Sequence, residues 1–183
     1  YVDYGTVCLI ADFVNSIKSS ADILQYITAR LSDDSIALHI EAAECINGIK
    51  DEAFNYIKRK IEELGSVSEY DVQQYILQLF DKNQLYTDGY PIVAIGQNAS
   101  NPHYEPSVQN SSQIRSGDLV LIDLWAKKKT TAEAVFADIT WMAYVGEYPP
   151  HEMTEVFNVL HGAINTTLKF LEENLPVRPI QGY

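Results

Sequence analysis

The chain has little cysteine, few basic residues and no long apolar run. Its two cysteines, Cys8 and Cys45, lack metal-ligand spacing and are too few for a disulfide framework. Only 13 Lys and Arg residues stand against 25 Asp and Glu, which gives a net charge of −12. A surface of this sign repels the phosphate backbone, so we expect no nucleic-acid partner. No apolar run approaches the roughly 18 residues of a membrane helix, so we expect no membrane partner and a cytoplasmic protein.

Several common catalytic motifs are also missing. The sequence has no phosphate-binding GxxxxGK[ST] loop, no dinucleotide-binding GxGxxG, no GxSxG nucleophile turn and no CxxC pair. Hydrophobic residues make up 46% of the 183 residues, enough for a sizeable core in one or two domains. The search for chemistry therefore narrows to carboxylates and histidine.

The most informative segment runs from Gly117 to Gly146 and reads as two apolar strands joined by a polar connection. Each strand carries one carboxylate, Asp123 in LVLIDLW and Asp138 in VFADITW. A hairpin folded about the Thr130–Thr131 bond would place these two side chains directly opposite each other, about 4.5–5.5 Å apart. Buried like charges need a cation, a proton or water between them. Spacing alone leaves open whether they bind metal or simply end turns and meet solvent.

The rest of the pattern predicts helices around this hairpin. Ser32 begins and Gly65 ends a long helix whose apolar residues recur every three or four positions. Ser68 and Asp71 resemble a capping box before a second helix that reaches about Leu85. The pattern further predicts a β-like run in YVDYGTVCLI, a helix-compatible ADFVNSIKS, a strand in PIVAIG and a last helix over about 151–175.

A polar loop, QNASNPHYEPSVQNSSQIRSG, follows the PIVAIG strand and contains His103. Loops on a rigid scaffold often carry functional side chains, but a histidine in a loop is also common on plain solvated surface. Residue spacing does not decide between these two interpretations.

Three ordered motifs resemble one known family. Residues 96–104 (GQNASNPHY), 116–123 (SGDLVLID) and 137–140 (ADIT) are similar to the motifs of the creatinase/aminopeptidase superfamily, the pita-bread metallopeptidases. The helix IEAAECINGIKDEAFNYIKRKI resembles the first helix of that catalytic domain, and the closest resemblance is to the Xaa-Pro peptidase or prolidase-like branch. The resemblance implies an α+β fold, an antiparallel sheet with covering helices that forms the first half of a pita-bread fold.

The resemblance also implies domains and a site. Residues 1–30 would be the tail of an α/β N-terminal domain, and residues 31–183 an incomplete first half of the catalytic domain. The residue matching Asp123 would bind one metal, and the residue matching Asp138 would bridge two divalent ions such as Mn, Co, Zn or Fe. His103 falls on the histidine that positions the peptide substrate or stabilises the tetrahedral intermediate. The resemblance implies that metal-activated water hydrolyses an N-terminal peptide bond, of Xaa-Pro type.

Two differences from the family qualify this expectation. Trp125 stands where members commonly have a small Gly, and the chain contains none of the remaining metal ligands, a His in a Gly-His-Gly context and two Glu residues. We therefore expect a portion of a longer protein that needs a missing C-terminal half or a second copy of itself, as in a homodimer. The alternatives are a catalytically silent pita-bread module that binds peptides or proteins, or an inactive fragment.

Overall fold

The computed structural model of the chain describes residues 2–129 and 131–175. In order, the elements are α1 (Tyr4–Ala11), α2 (Ala21–Thr28), α3 (Asp33–Leu64), β1 (Val67–Ser68), α4 (Glu69–Lys82), β2 (Leu85–Tyr86), β3 (Ile92–Ile95), a 3₁₀ turn (Asn98–Ser100), β4 (Gln113–Ile114), β5 (Leu119–Lys128), β6 (Ala137–Tyr144) and α5 (His151–Asn174). Helices α3 and α4 cover one face of an antiparallel sheet built around β5.

The long helix predicted between Ser32 and Gly65 is confirmed as α3. The Ser32 hydroxyl accepts the Ser35 N–H at 3.1 Å and so satisfies a free donor at the helix start. Gly65 adopts a left-handed φ of 79°, and its N–H donates to the Ile61 carbonyl at the helix end. The apolar residues buried on one face are Ala42, Ile46, Ile49, Ala53 and Ile57. The apolar periodicity and the two cap residues therefore predicted this helix correctly.

Helix α4 begins at the predicted cap but ends earlier than expected. The Ser68 hydroxyl accepts the Asp71 N–H at 3.0 Å, which confirms the capping pair. The helix ends at Lys82 rather than near Leu85, because Gln84 takes a positive φ of 54° and Leu85 joins the sheet as part of β2.

The N-terminal prediction was wrong. The run YVDYGTVCLI, expected to be β-like, forms α1, and the predicted helix in ADFVNSIKS is absent from the described structure of that segment. The Asp3 carboxylate explains the helix start, since it accepts both the N–H and the hydroxyl of Thr6. Among residues 2–129 and 131–175, no strand pairs with this run. Neither α1 nor α2 buries a residue.

Strand β5 is the centre of the sheet and separates two faces. It pairs antiparallel with β2, β3 and β6. Its burial alternates along the strand, so that one set of side chains packs against the helices and the other set stays partly exposed. The packed set is Val120, Ile122, Leu124 and Ala126, and all four are fully buried. Asp123 belongs to the other, open face.

The hairpin register differs from the prediction by two residues. Asp123 pairs with Thr140, and Asp138 pairs with Trp125, so the two carboxylates are not directly opposite. The β5–β6 ladder ends at the Ala126–Ala137 pair, so the connection of residues 127–136 is centred between positions 131 and 132 instead of 130 and 131. A shift of two positions preserves the side-chain face, whereas a shift of one would have reversed it. Both carboxylates consequently remain on the open face.

Helix α5 confirms the last predicted helix, but its apolar side is not covered. It buries no residue, and its exposed apolar side chains include Val156, Phe157, Leu160, Ile164 and Leu168. The expectation that Pro176 stops this helix concerns a residue outside the described range. Within the described part of the chain, no helix is long and apolar enough to cross a membrane.

Candidate metal-binding site

The two carboxylates of the hairpin lie on the open face of the sheet as diagonal neighbours. The Thr140 hydroxyl, directly across from Asp123, donates a hydrogen bond to Asp123 Oδ1 at 2.8 Å. Diagonal cross-strand positions lie about 7–8 Å apart. Burial, and then the charge of Asp123, raise the pKa of the Asp138 carboxyl. The sheet therefore holds two acids close enough to repel each other and leaves their oxygens on an uncovered surface.

A cleft of about 290 Å³ lies next to Asp123. The sheet forms one wall with Ile92, Leu121 and Thr140, and the loop after β3 forms the other with residues 98–102. The wall is mostly apolar, with the Asp123 carboxylate and the Thr140 hydroxyl as its polar groups on the sheet side. Such a mixture suits a ligand that has an apolar body and a group able to interact with a carboxylate-bound cation.

His103 lies on the same loop, one residue after the cleft residue Pro102. Its side chain is exposed, and its backbone N–H donates to the Asn101 side-chain oxygen at 3.0 Å. In the described residues it makes no hydrogen bond to Asp123 or Asp138. Across residues 2–129 and 131–175, no group of three or more His, Cys, Asp or Glu side chains is placed to hold a metal ion. The structure thus brings the two carboxylates together and leaves the histidine apart from them.

Sequence reasoning missed the most connected acid in the structure, Glu69. This side chain is 0% exposed, although it belongs to the first turn of α4. Its oxygens accept hydrogen bonds from the Ile95 and Ser112 N–H groups, each at 2.7 Å, and from the Asn98 side chain. The Tyr104 hydroxyl lies 2.6 Å from Oε2.

The spacing of residues along α4 indicates that the Glu69 side chain is buried. Glu69 precedes Val72, Gln73 and Ile76 by three, four and seven positions, and these three residues form the buried face of α4. An acid in a first helical turn is also favoured at the surface by the helix dipole, so the position of Glu69 in α4 does not by itself indicate burial.

Tyr104 provides a pH prediction for this network. The side chain is 6% exposed, and burial, followed by the hydrogen bond to Glu69, raises the pKa of its hydroxyl. The unfolded chain loses this proton near pH 10 while the folded chain retains it. Folding stability from this group is therefore full below pH 10 and falls as pH rises further. We expect Tyr104→Phe to reduce the alkaline loss of stability, measured as melting temperature between pH 9 and pH 11. An unchanged slope would contradict this assignment.

Comparison with known proteins decides the family. The sequence model of metallopeptidase family M24 matches residues 41–181. The chain belongs to metallopeptidase family M24. This match covers both hairpin carboxylates and the whole loop that carries His103, and it confirms the resemblance found in the sequence.

Solved structures agree with this family and its pita-bread fold. A prolidase from Thermococcus sibiricus is 29% identical, with a TM-score of 0.59 over 90% of this chain and 42% of that chain. An X-Pro aminopeptidase from Thermotoga maritima is 23% identical, with a TM-score of 0.61 over 92% of this chain and 45% of that chain. An X-prolyl aminopeptidase from Caenorhabditis elegans, described as a cytosolic enzyme with a di-nuclear active site, is 18% identical, with a TM-score of 0.60 over 71% of this chain and 21% of that chain.

The present chain thus spans less than half the length of each of these solved relatives. Comparison with curated protein sequences finds no significant match. The expected fold class, α+β with helices covering an antiparallel sheet, is confirmed by the elements described above and by these relatives.

The donor set of this M24 chain fits a divalent cation. Asp123 and Asp138 supply carboxylate oxygens, the ligands preferred by hard and borderline divalent ions. A cation bound by both carboxylates would relieve their mutual repulsion. Two carboxylates would supply only part of a coordination shell, and a stable site would need further ligands.

Trp125 adds an aromatic wall beside Asp138, its cross-strand partner. The indole N–H donates to Asp88 Oδ1 at 2.8 Å. The ring packs so closely on Gly89 that a Cβ there would lie 2.7 Å from it. Asp88 and Gly89 therefore fix the orientation of the indole at the position where the family commonly has a small residue.

Proposed function

We propose that this M24 chain forms part of a dinuclear-metal-dependent peptidase that hydrolyses an N-terminal peptide bond, with Xaa-Pro peptides as substrates. The observation that supports this most directly is the placement of Asp123 and Asp138 on one open face of the central hairpin, beside an apolar cleft. Burial, and then the charge of Asp123, raise the pKa of Asp138, and a cation bound by both carboxylates would relieve their repulsion.

Within this proposal, each residue has a separate role. Asp123, whose carboxylate accepts a hydrogen bond from the Thr140 hydroxyl, would hold one metal ion, and Asp138 would be a ligand of both ions. When bound, divalent metals lower the pKa of water to about 7 and polarise a carbonyl group. The cleft wall receives the apolar part of the peptide. His103 donates a hydrogen bond to the oxyanion that develops on the scissile carbonyl.

We further propose that the remaining ligands come from outside residues 1–183, from a C-terminal half or from a second copy in a homodimer. The sequence contains no Gly-His-Gly triplet. In the described residues, β6 pairs with β5 and with no second strand, and α5 presents an uncovered apolar side. Unpaired strand edges and uncovered apolar helices are where additional structure docks.

The proposal includes a division of the chain and a location. Residues 1–30 would belong to the tail of an N-terminal domain, which agrees with the lack of buried residues in α1 and α2. Residues 31–183 would belong to the catalytic domain.

We place the protein in the cytoplasm, where its two free cysteines stay reduced. Mn, Co, Zn and Fe all remain candidates for the metal, with manganese the ion to test first.

The alternative is a pita-bread module that binds peptides or proteins without hydrolysis, or an inactive fragment. The exposed position of His103, with no hydrogen bond to either carboxylate, is the observation that favours this alternative.

The deciding experiment measures metal content and peptide hydrolysis together. Purified in its natural assembly, the protein should retain divalent metal and hydrolyse an Xaa-Pro dipeptide or an Xaa-Pro-Yaa tripeptide. A chelator should abolish turnover, and Mn or Co should restore it. Peptide binding without hydrolysis would favour the silent module. Absence of metal, turnover and peptide binding would refute both functions.

A further inference from the structure

We propose that Glu69 is a positioning residue that fixes the loop of residues 96–112, and through it His103 and the cleft wall, against the sheet that carries Asp123. This inference deepens the proposed function and rests on it for the role of His103. Glu69 is not part of the carboxylate pair, lies on α4 instead of the hairpin, and contacts the loop at both of its ends.

The first end of the loop is held where β3 finishes. Glu69 Oε1 accepts the Ile95 N–H at 2.7 Å, one residue before Gly96 turns the chain with a positive φ of 53°. The Asn98 side-chain amide lies 3.1 and 3.0 Å from the two Glu69 oxygens and also donates to the Ser112 hydroxyl. Glu69 therefore fixes the start of the segment that forms the cleft wall.

The second end is held where the loop returns to the sheet. Glu69 Oε2 accepts the Ser112 N–H at 2.7 Å, while the Glu69 N–H donates to the Ser112 carbonyl at 3.0 Å. The next residue, Gln113, pairs with Ser68 in the short β1–β4 ladder. One residue of α4 thus closes a loop whose ends are separated by 16 positions, between Gly96 and Ser112.

The middle of the loop is held through the neighbour of His103. The Tyr104 hydroxyl lies 2.6 Å from Glu69 Oε2 and 2.7 Å from the Asn110 carbonyl oxygen. The Tyr104 N–H donates to the Asn101 carbonyl at 3.0 Å, so the segment 101–104 forms a tight turn. His103 lies within that turn. The next residue in the chain, Tyr104, is hydrogen-bonded to Glu69.

The charge of Glu69 makes this arrangement sensitive to substitution. All of its hydrogen-bond donors are neutral, and in the described residues no Lys or Arg pairs with it. A buried carboxylate without a cation needs a full set of donors. Glu69→Gln keeps the size but replaces one acceptor oxygen by a donor, which then faces donors of the loop. The loop should loosen while the apolar core stays packed.

The first test measures the loop without requiring activity. Hydrogen exchange of the amides of Ile95 and Ser112 should accelerate by about tenfold or more in Glu69→Gln, since a charge-assisted hydrogen bond is lost. Amides of the α3 core should keep the wild-type rate. Glu62→Gln is the matched control, because Glu62 is an exposed acid that lies before α4 in the sequence. In this variant the amides of Ile95 and Ser112 should exchange at the wild-type rate. Equal protection of Ile95 and Ser112 in wild type and Glu69→Gln would overturn the inference.

The second test is a double-mutant cycle in the active assembly. Glu69→Gln should lower kcat for an Xaa-Pro peptide by about tenfold or more, because a small displacement of a reacting group is costly. In a His103→Ala background the same substitution should cost clearly less, because only its effect through the cleft wall remains. Equal losses in both backgrounds would show that Glu69 does not act through His103 and would overturn the inference.

Tyr104→Phe is a milder second variant if Glu69→Gln does not fold. It removes one donor to Glu69 and should give smaller changes in the same direction in both tests; unchanged loop exchange would count against the inference. If wild type shows no turnover at all, the proposed function fails, and the exchange test alone still decides whether Glu69 holds the loop.

Discussion

Asp138→Asn is expected to lower metal-dependent turnover of Xaa-Pro peptides by at least about 100-fold, measured as kcat/KM in the assembled protein. Substitution of residues that only support metal ligands already costs about 10- to 100-fold, and the loss of a bridging ligand should cost more. The same variant should also bind Mn or Co more weakly, which titration calorimetry measures directly.

The same Asp138→Asn substitution is expected to stabilise the metal-free chain. Burial and the charge of Asp123 raise the pKa of Asp138, so its ionised form costs stability above that pKa, and this cost disappears as pH falls and the group is protonated. Asp138→Asn should therefore raise the melting temperature of metal-free protein at neutral pH. Glu133→Gln, an exposed acid on the same hairpin, is the control and should change neither property. A lower melting temperature together with unchanged metal affinity would contradict both roles of Asp138.

Leu124→Ala is expected to lower the free energy of unfolding by about 2–5 kcal/mol. Leu124 is 0% exposed and lies on the face of β5 that packs against the helices. Leu119→Ala removes the same atoms from the same strand, but on the open face, where the side chain is only partly buried. We expect the Leu119 variant to lose clearly less stability in urea denaturation. Equal losses would contradict the assignment of the two faces.

The sequence predicted those elements whose causes are local. Helix α3 followed from apolar spacing and from its caps at Ser32 and Gly65, and the start of α4 followed from Ser68 and Asp71. Strand β5 and strand β6 followed from their apolar composition. Each of these depends on residues within a few positions of one another, which is why a pattern in the sequence sufficed.

The errors arose where the apolar pattern was not the deciding feature. The register of the hairpin depends on the connection between its strands: the ladder ends at the Ala126–Ala137 pair, so residues 127–136 are centred between positions 131 and 132. The N-terminal run was expected to be a strand because of its apolar residues, but a helix cap at Asp3 forms and no partner strand is present in the described structure. In neither case does the spacing of the apolar residues show the feature that decides the structure.

The candidate site was predictable in part. The placement of Asp123 and Asp138 on one face followed from the two-residue period of strands, even though their direct pairing did not. The separation of His103 from the carboxylates depends on the path of a long loop, which no periodicity describes. Glu69 was missed because its four hydrogen-bond donors come from three regions of the chain far from α4 in sequence.

The pairing of β2 with the end of β5 has a practical consequence for labelling. The Lys129 N–H donates to the Gln84 carbonyl, and its ammonium group lies 2.8 Å from the Asp81 carboxylate. These contacts anchor one side of the hairpin tip to α4, independently of the exposed residues Ala132 and Glu133. Added length between those two residues costs little, about 0.6 kcal/mol for each doubling of a loop. A fluorophore or epitope inserted there would report on assembly without shifting either carboxylate along its strand.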